Sequence, residues 1–236
     1  MMDGLHDVGV VIPAYNEEKY LRETLKALKK IEMIRDILVV DDGSEDQTAE
    51  IAREEEVRLI KLPKNQGKGY ALRRGLKELE NRIILFLDAD LGESAKEAQK
   101  LITPLIRGEA DVTIARFPYA AGAGGFGLVK KLARMGIRFL TGRDLSSILS
   151  GQRGFKRQVL RQEFLLYPRF GIEFGMTIDL MKSGAVIKEV DVKMHHRLTG
   201  KDLAGFKHRA SQFADISRVF LKKWIFEKRG PIHDTV

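Results

Sequence analysis

The segment IILFLDADLGES, residues 83–94, decides the fold of this chain. Its apolar residues 83–87 run directly into two carboxylates, Asp88 and Asp90. A short apolar run of this kind is typical of a strand that is buried on both faces of a parallel sheet. Ligands of open α/β sheets bind at the carboxyl ends of the strands, where these acids lie. The pattern therefore favours a site for Mg²⁺ or Mn²⁺, although a surface turn in which Asp90 starts the next helix would have the same sequence.

The composition predicts a folded α/β domain with anionic partners. The chain has 236 residues, 44% of them hydrophobic, and no cysteine, which excludes a disordered protein, a disulfide framework and a thiolate metal site. It contains no apolar run of transmembrane length and no signal-peptide pattern at its start. We therefore expect a cytoplasmic location, and peripheral attachment to the inner face of the membrane stays open. The net charge of +8 favours nucleotides, phospholipid surfaces or nucleic acid as partners.

Strands and helices alternate over the first half of the chain. We predict strands at residues 8–12, 37–40, 57–62, 83–87 and 111–115, with helices between them. This alternation indicates βαβ units and a mostly parallel sheet, whose right-handed crossovers bring the polar strand ends to one edge. After residue 116 we predict a glycine-rich loop at 119–127, helices at 128–140, 172–181 and 203–229, and a strand at 186–192.

Four polar clusters follow four of the predicted strands. They are Pro13 to Glu17, Asp41 to Ser44, Asn65 to Gly69, and Asp88 to Asp90. Each cluster alone has a structural explanation, such as a helix cap, an Asx turn or a tight glycine turn. Together they predict one cleft, lined by acids and glycines, which helix capping does not explain.

Four motifs in this order resemble the family 2 glycosyltransferases, which have the GT-A fold. They are VVIPAYNEE (10–18), VVDDGSEDQT (39–48), NQGKGYALRRG (65–75) and LFLDADL (85–91). The third motif looks like that of the dolichyl-phosphate and other polyprenyl-phosphate sugar transferases. The resemblance covers residues 8–115 and continues more weakly through SGQRGF (150–155) and HHRLTGKD (195–202).

The resemblance implies a single GT-A domain over residues 1–236. Its sheet would be mostly parallel and flanked by helices. Residues 1–115 would form the nucleotide-sugar half and residues 116–202 the acceptor half. Residues 203–236 would form a C-terminal amphipathic helix and tail.

The resemblance also implies a role for each residue of the cleft. The nucleotide sugar would be bound by residues of all four motifs: Pro13, Ala14, Tyr15, Asn16, Glu17, Asp42, Lys68, Asp88, Ala89 and Asp90. Asp90 would ligate Mg²⁺ or Mn²⁺, Asp88 would contact the ribose or the metal through water, and Lys68 would lie near the base or the phosphates. The metal would stabilise the leaving nucleoside diphosphate while a hexose moves from a UDP- or GDP-sugar with inversion.

The second half of the chain contains weaker candidates. Glu173 is the candidate catalytic base and Asp179 the second choice, although Glu173 is also explained as a first-turn helix acid. A phosphate acceptor is already ionised and needs no base. Glycines flank Gln152 and Arg153, and an arginine in that setting can bind the acceptor phosphate bidentately, although a basic surface turn would have the same sequence.

The residues after the strand at 186–192 supply the remaining candidates. The resemblance implies that His196 binds the metal and that Arg197 offers a cation to the diphosphate. The segment 199–201 would act as the hinge of a lid that closes over the bound nucleotide.

The expected acceptor is a polyprenyl phosphate at a membrane surface. Many such transferases carry C-terminal transmembrane helices and this sequence has none, so a small soluble acceptor such as a glycerate derivative stays open. A sugar nucleotidyltransferase would need a basic, glycine-rich loop where this chain has Pro13 to Asn16. A nucleic-acid-binding module would need stacking aromatics among its cations, so we expect no nucleic-acid partner.

The helix predicted at 203–229 combines basic residues with an apolar stripe. The stripe repeats at helical spacing: Phe206, Ala210, Phe213, Phe220 and Trp224. Two explanations stay open. Either the stripe packs on the domain and the cations are solvated, or the part near Trp224, Ile225 and Phe226 lies in a membrane interface. The oligomeric state is left open.

Overall fold

A computed structural model describes residues 7–117, 127–167, 171–195 and 203–229. Within these ranges seven strands form one sheet, in the order β3-β2-β1-β4-β6-β5-β7. The strands are β1 (Val8–Ala14), β2 (Ile34–Asp41), β3 (Arg58–Lys61), β4 (Ile83–Phe86), β5 (Val112–Arg116), β6 (Arg153–Lys156) and β7 (Ile187–Asp191).

Helices cover both faces of this sheet. They are α1 (Leu21–Lys29), α2 (Thr48–Glu54), α3 (Lys68–Glu78), α4 (Gln99–Ile106), α5 (Gly127–Thr141), α6 (Ile172–Lys182) and α7 (Leu203–Arg229). Short 3₁₀ helices lie at Gly92–Ala98, Arg157–Val159 and Gln162–Leu165.

The sheet is mostly parallel, as predicted. Strand β1 runs parallel to both β2 and β4, and Val11 pairs with Leu38 on one side and Phe86 on the other. Ala14 at the end of β1 is opposite Asp41 at the end of β2. The carboxyl ends of β1, β2 and β4 are therefore neighbours at one edge, which brings the polar clusters after them together.

Strand β6 was not predicted from the sequence. It runs antiparallel between β4 and β5, so these two predicted strands are not neighbours. It is short and contains Arg153 and Gly154, whereas a buried strand is recognised by an apolar run. Gly154 is required there because a Cβ atom would lie 2.6 Å from the Thr113 Oγ1 atom.

Two helices begin several residues after the polar cluster that precedes them. Asn16 adopts a left-handed conformation with φ of 55°, and helix α1 begins only at Leu21. Ser94 does not cap an α-helix; its hydroxyl donates to the Leu91 carbonyl within the 3₁₀ helix, and α4 begins at Gln99.

Alternate residues of each central strand pack into two separate cores. Val10 and Ile12 lie in the core under α1, α2 and α4, whereas Val11 lies in the core under α3, α5, α6 and α7. Strands buried on both faces read as continuous apolar runs, which is why the sequence signal for β1, β2 and β4 was strong.

Helix α7 has the predicted bounds, but the predicted stripe is only partly correct. Among residues 211–225, where side-chain burial is described, the buried ones are Asp215, Ile216 and Val219, whereas Phe213 is 40% exposed. The side chains of Phe206 and Ala210, the other two residues of the stripe, lie outside the described part. Phe220 and Trp224 are partly buried against the core, as the stripe required. Among the described residues, no helix has both the length and the apolar character needed to cross a membrane.

Candidate active site

A cleft of about 260 Å³ opens at the carboxyl ends of β1, β2 and β4. Its lining contains every predicted nucleotide-sugar residue except Asn16: Pro13, Ala14, Tyr15, Glu17, Asp42, Lys68, Asp88, Ala89 and Asp90, together with Asn65 and Gly67. The clustering that the sequence predicted is therefore present in the structure. We call this space the donor cleft.

Asn16 connects the first two motifs behind the donor cleft. Its backbone N–H donates to the Ser44 Oγ at 3.0 Å, and its side-chain oxygen accepts from the Glu45 N–H at 3.0 Å. The Glu17 N–H donates to the Thr48 Oγ1 at 2.8 Å. These bonds hold the loop after β1 against the loop after β2, which leaves Tyr15 half-exposed in the cleft.

Asp42 holds the glycine-rich loop. One carboxylate oxygen accepts from the Gln66 N–H at 2.8 Å and the other from the Gly67 N–H at 2.7 Å. Gly67 has a φ of 91°, a value that glycine adopts without strain. The neighbouring Asp41 is fully buried and accepts from the Ser44 N–H, so Asp41 has a local structural role whereas Asp42 reaches the cleft.

Asp88 is bonded through both of its carboxylate oxygens. It accepts from the Lys68 Nζ at 2.7 Å with one oxygen and from the Gln152 Nε2 at 2.7 Å with the other. Its own N–H donates to the Gln152 Oε1 at 3.0 Å. Gly151 leaves room for this arrangement, because a Cβ atom there would lie 2.4 Å from the Lys68 ammonium. Gln152 is thus fully buried and fixes the Asp88 carboxylate.

Lys68 joins Asp88 to Glu173. Its ammonium lies 3.3 Å from a Glu173 carboxylate oxygen, across more than a hundred residues of sequence. Burial alone would lower the pKa of Lys68, but the carboxylates of Asp88 and Glu173 outweigh it and raise the pKa above its ordinary value. Lys68 therefore carries a permanent positive charge between the two acids.

A second, larger cavity of about 880 Å³ begins at this ion cluster. Lys68 and Asp88 line both spaces, so the donor cleft and the second cavity meet at their side chains. Glu173 lies in the wall of the second cavity, which we call the acceptor cavity. The rest of the wall combines cations, hydroxyls and apolar side chains: Arg116, Lys130, Ser146, Ser147, Ser150, Phe117, Ala133, Ile148, Leu149 and Ile216.

Two polar atoms of this cavity wall were not predicted from the sequence. The Ser150 Oγ and the Gln212 Oε1 are buried without a hydrogen-bond partner. A buried polar atom that is unpaired in the free protein is a natural contact for a polar ligand. Gln212 lies on α7, so the C-terminal helix contributes to the cavity, a contact that no motif of the chain indicates.

The prediction that Arg153 binds an acceptor phosphate is wrong. Arg153 is fully buried, and its guanidinium donates to the carbonyls of Ile148, Ser150 and Glu173 and to the Thr177 Oγ1. Burial lowers the pKa of Arg153 to about 10, so it stays charged at neutral pH. Its donors are used within the fold, and they connect the loop before β6 to the start of α6. Gln152 is likewise buried and bonded to Asp88 rather than free for a phosphate.

Asp179, the second candidate base, does not line the acceptor cavity. Its carboxylate accepts from the Tyr167 hydroxyl and from the Lys223 ammonium. Burial and this carboxylate raise the pKa of Tyr167. The group attaches α7 to α6, which is a structural role.

Two of the three predicted metal ligands lie among the described residues. Asp88 and Asp90 lie in the donor cleft, and His195 borders the other side of Asp90. The predicted residues His196 and Arg197, and the hinge at 199–201, lie outside the described residues. Within the described ranges there is no group of three or more His, Cys, Asp or Glu side chains placed to hold a metal ion.

The two aspartates nevertheless fit a hard cation. Mg²⁺ is commonly bound by one or two carboxylates, with substrate phosphates and water completing its shell. The Lys68 ammonium already bonds to Asp88, which marks that carboxylate as a cation-binding position.

The sheet, with its cleft at the strand ends and a second cavity beside it, defines a GT-A glycosyltransferase fold. The family model for glycosyl transferase family 2 matches residues 9–164. An uncharacterized protein of Methanocaldococcus jannaschii is 34% identical over 197 residues, covering 79% of this chain and 81% of that protein. The chain therefore belongs to glycosyl transferase family 2 and is a glycosyltransferase.

Two further proteins are informative. An undecaprenyl-phosphate 4-deoxy-4-formamido-L-arabinose transferase of Pectobacterium atrosepticum is 30% identical over 174 residues, covering 68% of this chain and 52% of that enzyme. The chain thus spans about half the length of that relative. Glucosyl-3-phosphoglycerate synthase of Mycobacterium tuberculosis, solved with Mn²⁺, UDP and phosphoglyceric acid, superposes with a TM-score of 0.75 at 25% identity, covering 92% of this chain and 78% of that one.

Proposed function

We propose that this glycosyltransferase moves a hexose from a UDP- or GDP-sugar to a polyprenyl phosphate, with inversion at the anomeric carbon. The observation that carries the proposal is the acceptor cavity, which meets the donor cleft at Lys68 and Asp88. Its wall combines the cations Arg116 and Lys130 with apolar side chains. That combination suits an acceptor with an anionic head on an apolar chain, and the undecaprenyl-phosphate transferase among the relatives supports the same class.

The donor residues have separable roles in this proposal. Pro13 to Glu17 and Asp42 hold the nucleoside, and Lys68 contributes a fixed positive charge beside the diphosphate. Asp90, with Asp88, holds Mg²⁺ or Mn²⁺, and the metal supplies charge neutralisation for the leaving diphosphate when bound. The neighbour solved with Mn²⁺ and UDP supports this assignment. Residues 1–115 then serve the donor, residues 116–202 serve the acceptor, and α7 closes the acceptor cavity.

The chemical step is one displacement. An oxygen of the acceptor phosphate forms a bond to the anomeric carbon, while the bond from that carbon to the donor diphosphate breaks. The electron pair leaves with the nucleoside diphosphate, next to Lys68. A phosphate oxygen carries no proton, so no base is required; Glu173 then keeps Lys68 in place, 3.3 Å away.

A small soluble acceptor is the second candidate. The hydroxyl-rich side of the cavity, with Ser146, Ser147 and Ser150, favours it. The structural neighbour bound to phosphoglyceric acid supports it as well. For a hydroxyl acceptor, Glu173 is the group placed to take the proton that the attacking oxygen loses.

A paired transfer assay tests the proposal. UDP- and GDP-sugars are incubated with Mn²⁺ and either a short-chain polyprenyl phosphate in detergent or 3-phosphoglycerate. We expect nucleoside diphosphate release that depends on the lipid phosphate, with a glycolipid of matching mass. Turnover with 3-phosphoglycerate alone would replace the first candidate by the second, and pyrophosphate release would indicate a nucleotidyltransferase instead. The Asp90→Asn variant, which removes the proposed metal ligand, should lose this activity. Its matched control is Asp36→Asn, which makes the same change near the start of β2, away from the site.

A further inference from the structure

The basic charge of the chain is concentrated on two helices. Helix α5 carries four cationic side chains and no acidic one, and α7 carries seven cationic and two acidic side chains. Their combined surplus of nine positive charges exceeds the surplus of eight for the whole chain. The remainder of the molecule is therefore close to neutral, and any attraction to an anionic partner is centred on these helices.

Helices α5 and α7 pack side by side along a seam. The Phe139 and Phe220 rings meet there with their centroids 5.9 Å apart. Gly136 allows the close approach, because a Cβ atom there would lie 3.2 Å from Phe220. Inward-facing residues of both helices, such as Ile137 and Ile216, lie in the common core.

Large apolar side chains remain exposed on both sides of this seam. On α5, Met135 is 60% and Phe139 is 66% exposed. On α7, Leu221 is 49% and Ile225 is 45% exposed, and they lie one turn apart on the exposed side of the helix. Exposed apolar side chains that are grouped in this way mark an interaction surface rather than ordinary scatter.

Exposed cations flank the apolar strip on its two outer sides. Helical rotation places Lys131 and Arg138 beside Met135 on α5, and Arg218 and Lys222 beside Ile225 on α7. All four are exposed. An apolar strip bordered by basic residues is the pattern of helices that lie in a membrane interface, where the strip enters the headgroup region and the cations contact anionic lipid.

We propose that this surface, the α5–α7 face, docks on an anionic lipid bilayer. The docking surface itself is argued from the two helices alone. Only its role, which is to give access to a polyprenyl phosphate, rests on the proposed function. The same helices connect the face to the site, because Lys130 and Ala133 of α5 and Gln212 and Ile216 of α7 line the acceptor cavity. Docking by this face brings both helices to the lipid surface, with the acceptor cavity on their inner side.

The structure also changes which residues the docking uses. Trp224, expected in the interface, is partly buried against the core. Lys223 is bonded to Asp179 and stacks over the Tyr167 ring with 5.1 Å between its ammonium and the ring centroid. Leu221, Ile225 and the two outer cation pairs are the residues that contact lipid.

Vesicle sedimentation tests the proposal on the full chain. We expect the parent protein to sediment with phosphatidylglycerol-containing vesicles at low salt and to be released at high salt. It should not sediment with vesicles of phosphatidylcholine alone. Arg138→Glu, Lys222→Glu should lower the partition coefficient at least ~20-fold, since each cation near an anionic surface contributes roughly fivefold. Leu221→Gln, Ile225→Gln should lower binding while leaving its salt dependence intact.

The matched control reverses two exposed cations on the opposite face of the sheet. Lys30→Glu, Arg107→Glu changes the net charge by the same amount near α1 and α4. It should bind vesicles almost as well as the parent. Trp224, the single tryptophan of the chain, lies next to Ile225, so its emission should shift to shorter wavelength on vesicle binding.

Each other result overturns the proposal. The proposal fails if the parent protein does not sediment with vesicles at low salt. It also fails if the control variant loses binding as much as the face variants do, or if the face variants bind like the parent. A dimer in sedimentation velocity that Leu221→Gln, Ile225→Gln dissociates, without vesicle binding, would assign the face to a second copy of the chain. Transfer to detergent-solubilised polyprenyl phosphate is measured separately. Vesicle binding without that transfer would refute the acceptor and leave the docking surface in place.

Discussion

Arg153→Met is expected to destabilise the fold without removing a phosphate-binding group. The guanidinium is fully buried and donates to two loop carbonyls, those of Ile148 and Ser150, for which the described residues supply no other donor. The Glu173 carbonyl also accepts from the Thr177 hydroxyl at 2.6 Å, so it keeps a partner in the variant. Two orphaned buried carbonyls, at ~1–3 kcal/mol each, predict a loss of about 2–6 kcal/mol in the free energy of unfolding.

Part of that loss is offset because the variant no longer buries a charge. Among the described residues no carboxylate is bonded directly to Arg153, and the nearby Glu173 keeps Lys68 as its partner, so removing Arg153 leaves no uncompensated ion in the core. We therefore expect a loss of unfolding free energy in the lower half of that range. Because Arg153 connects the loop before β6 to α6, we also expect the positions of Glu173 and Lys68 to loosen and turnover to fall.

Urea unfolding followed by circular dichroism measures the effect. The midpoint should fall while the slope of the free energy against urea stays constant, which marks a change in stability alone. Arg107→Met is the matched control, because that side chain is 68% exposed and its partner Glu109 is exposed as well, so its loss should be nearly neutral. If Arg153→Met does not fold, Thr177→Val removes one of its partners and should cost ~1 kcal/mol. Parental stability combined with a lost affinity for the acceptor phosphate would refute the packing argument.

Three further substitutions separate the roles within the site. Asp90→Asn should abolish the Mn²⁺-dependent part of nucleoside diphosphate binding in calorimetry with unchanged stability, because the side chain lies at a strand end; parental transfer activity would exclude Asp90 as a ligand. Asp42→Ala should weaken nucleotide binding even without metal and cost ~1–3 kcal/mol of stability, because two loop N–H groups lose their acceptor; equal nucleotide affinity would remove Asp42 from the site. Glu173→Gln should reduce turnover by roughly 10²–10⁴ for a hydroxyl acceptor and little for a phosphate acceptor; a large loss with a proven lipid-phosphate acceptor would contradict the proposed mechanism.

The donor side of the molecule was predictable because its determinants are local in sequence. Strands β1, β2 and β4 are buried on both faces, so each appears as an apolar run that ends in a polar cluster. A parallel sheet then brings those ends together without further information. The donor cleft, with Asp42, Lys68 and Asp88 in its wall, follows from topology alone.

The acceptor side was less predictable because its contacts are distant in sequence. Strand β6 lies between β4 and β5 although its segment has no apolar run. Its position buries Arg153, where the sequence was also compatible with a surface turn. The pairing of Lys68 with Glu173 and the contribution of Gln212 to the cavity depend on how α6 and α7 pack. Helical periodicity predicted that α7 is amphipathic but placed Phe213 on the buried face, whereas Asp215 takes that position.

The distribution of charge connects the two halves of the site. Among the described residues, Glu17, Asp42, Asp88 and Asp90 line the donor cleft and Lys68 is the one cation of that wall, so an incoming diphosphate meets mostly negative charge. A divalent cation reverses that balance, which is a physical reason for metal dependence that does not rely on resemblance. The acceptor cavity is more balanced, because Lys68, Arg116 and Lys130 share its wall with Asp88 and Glu173, and Arg116 is paired with Asp191. The proposed metal would therefore serve the donor side, and Lys68, which lines both spaces, is placed between the two proposed anionic substrates.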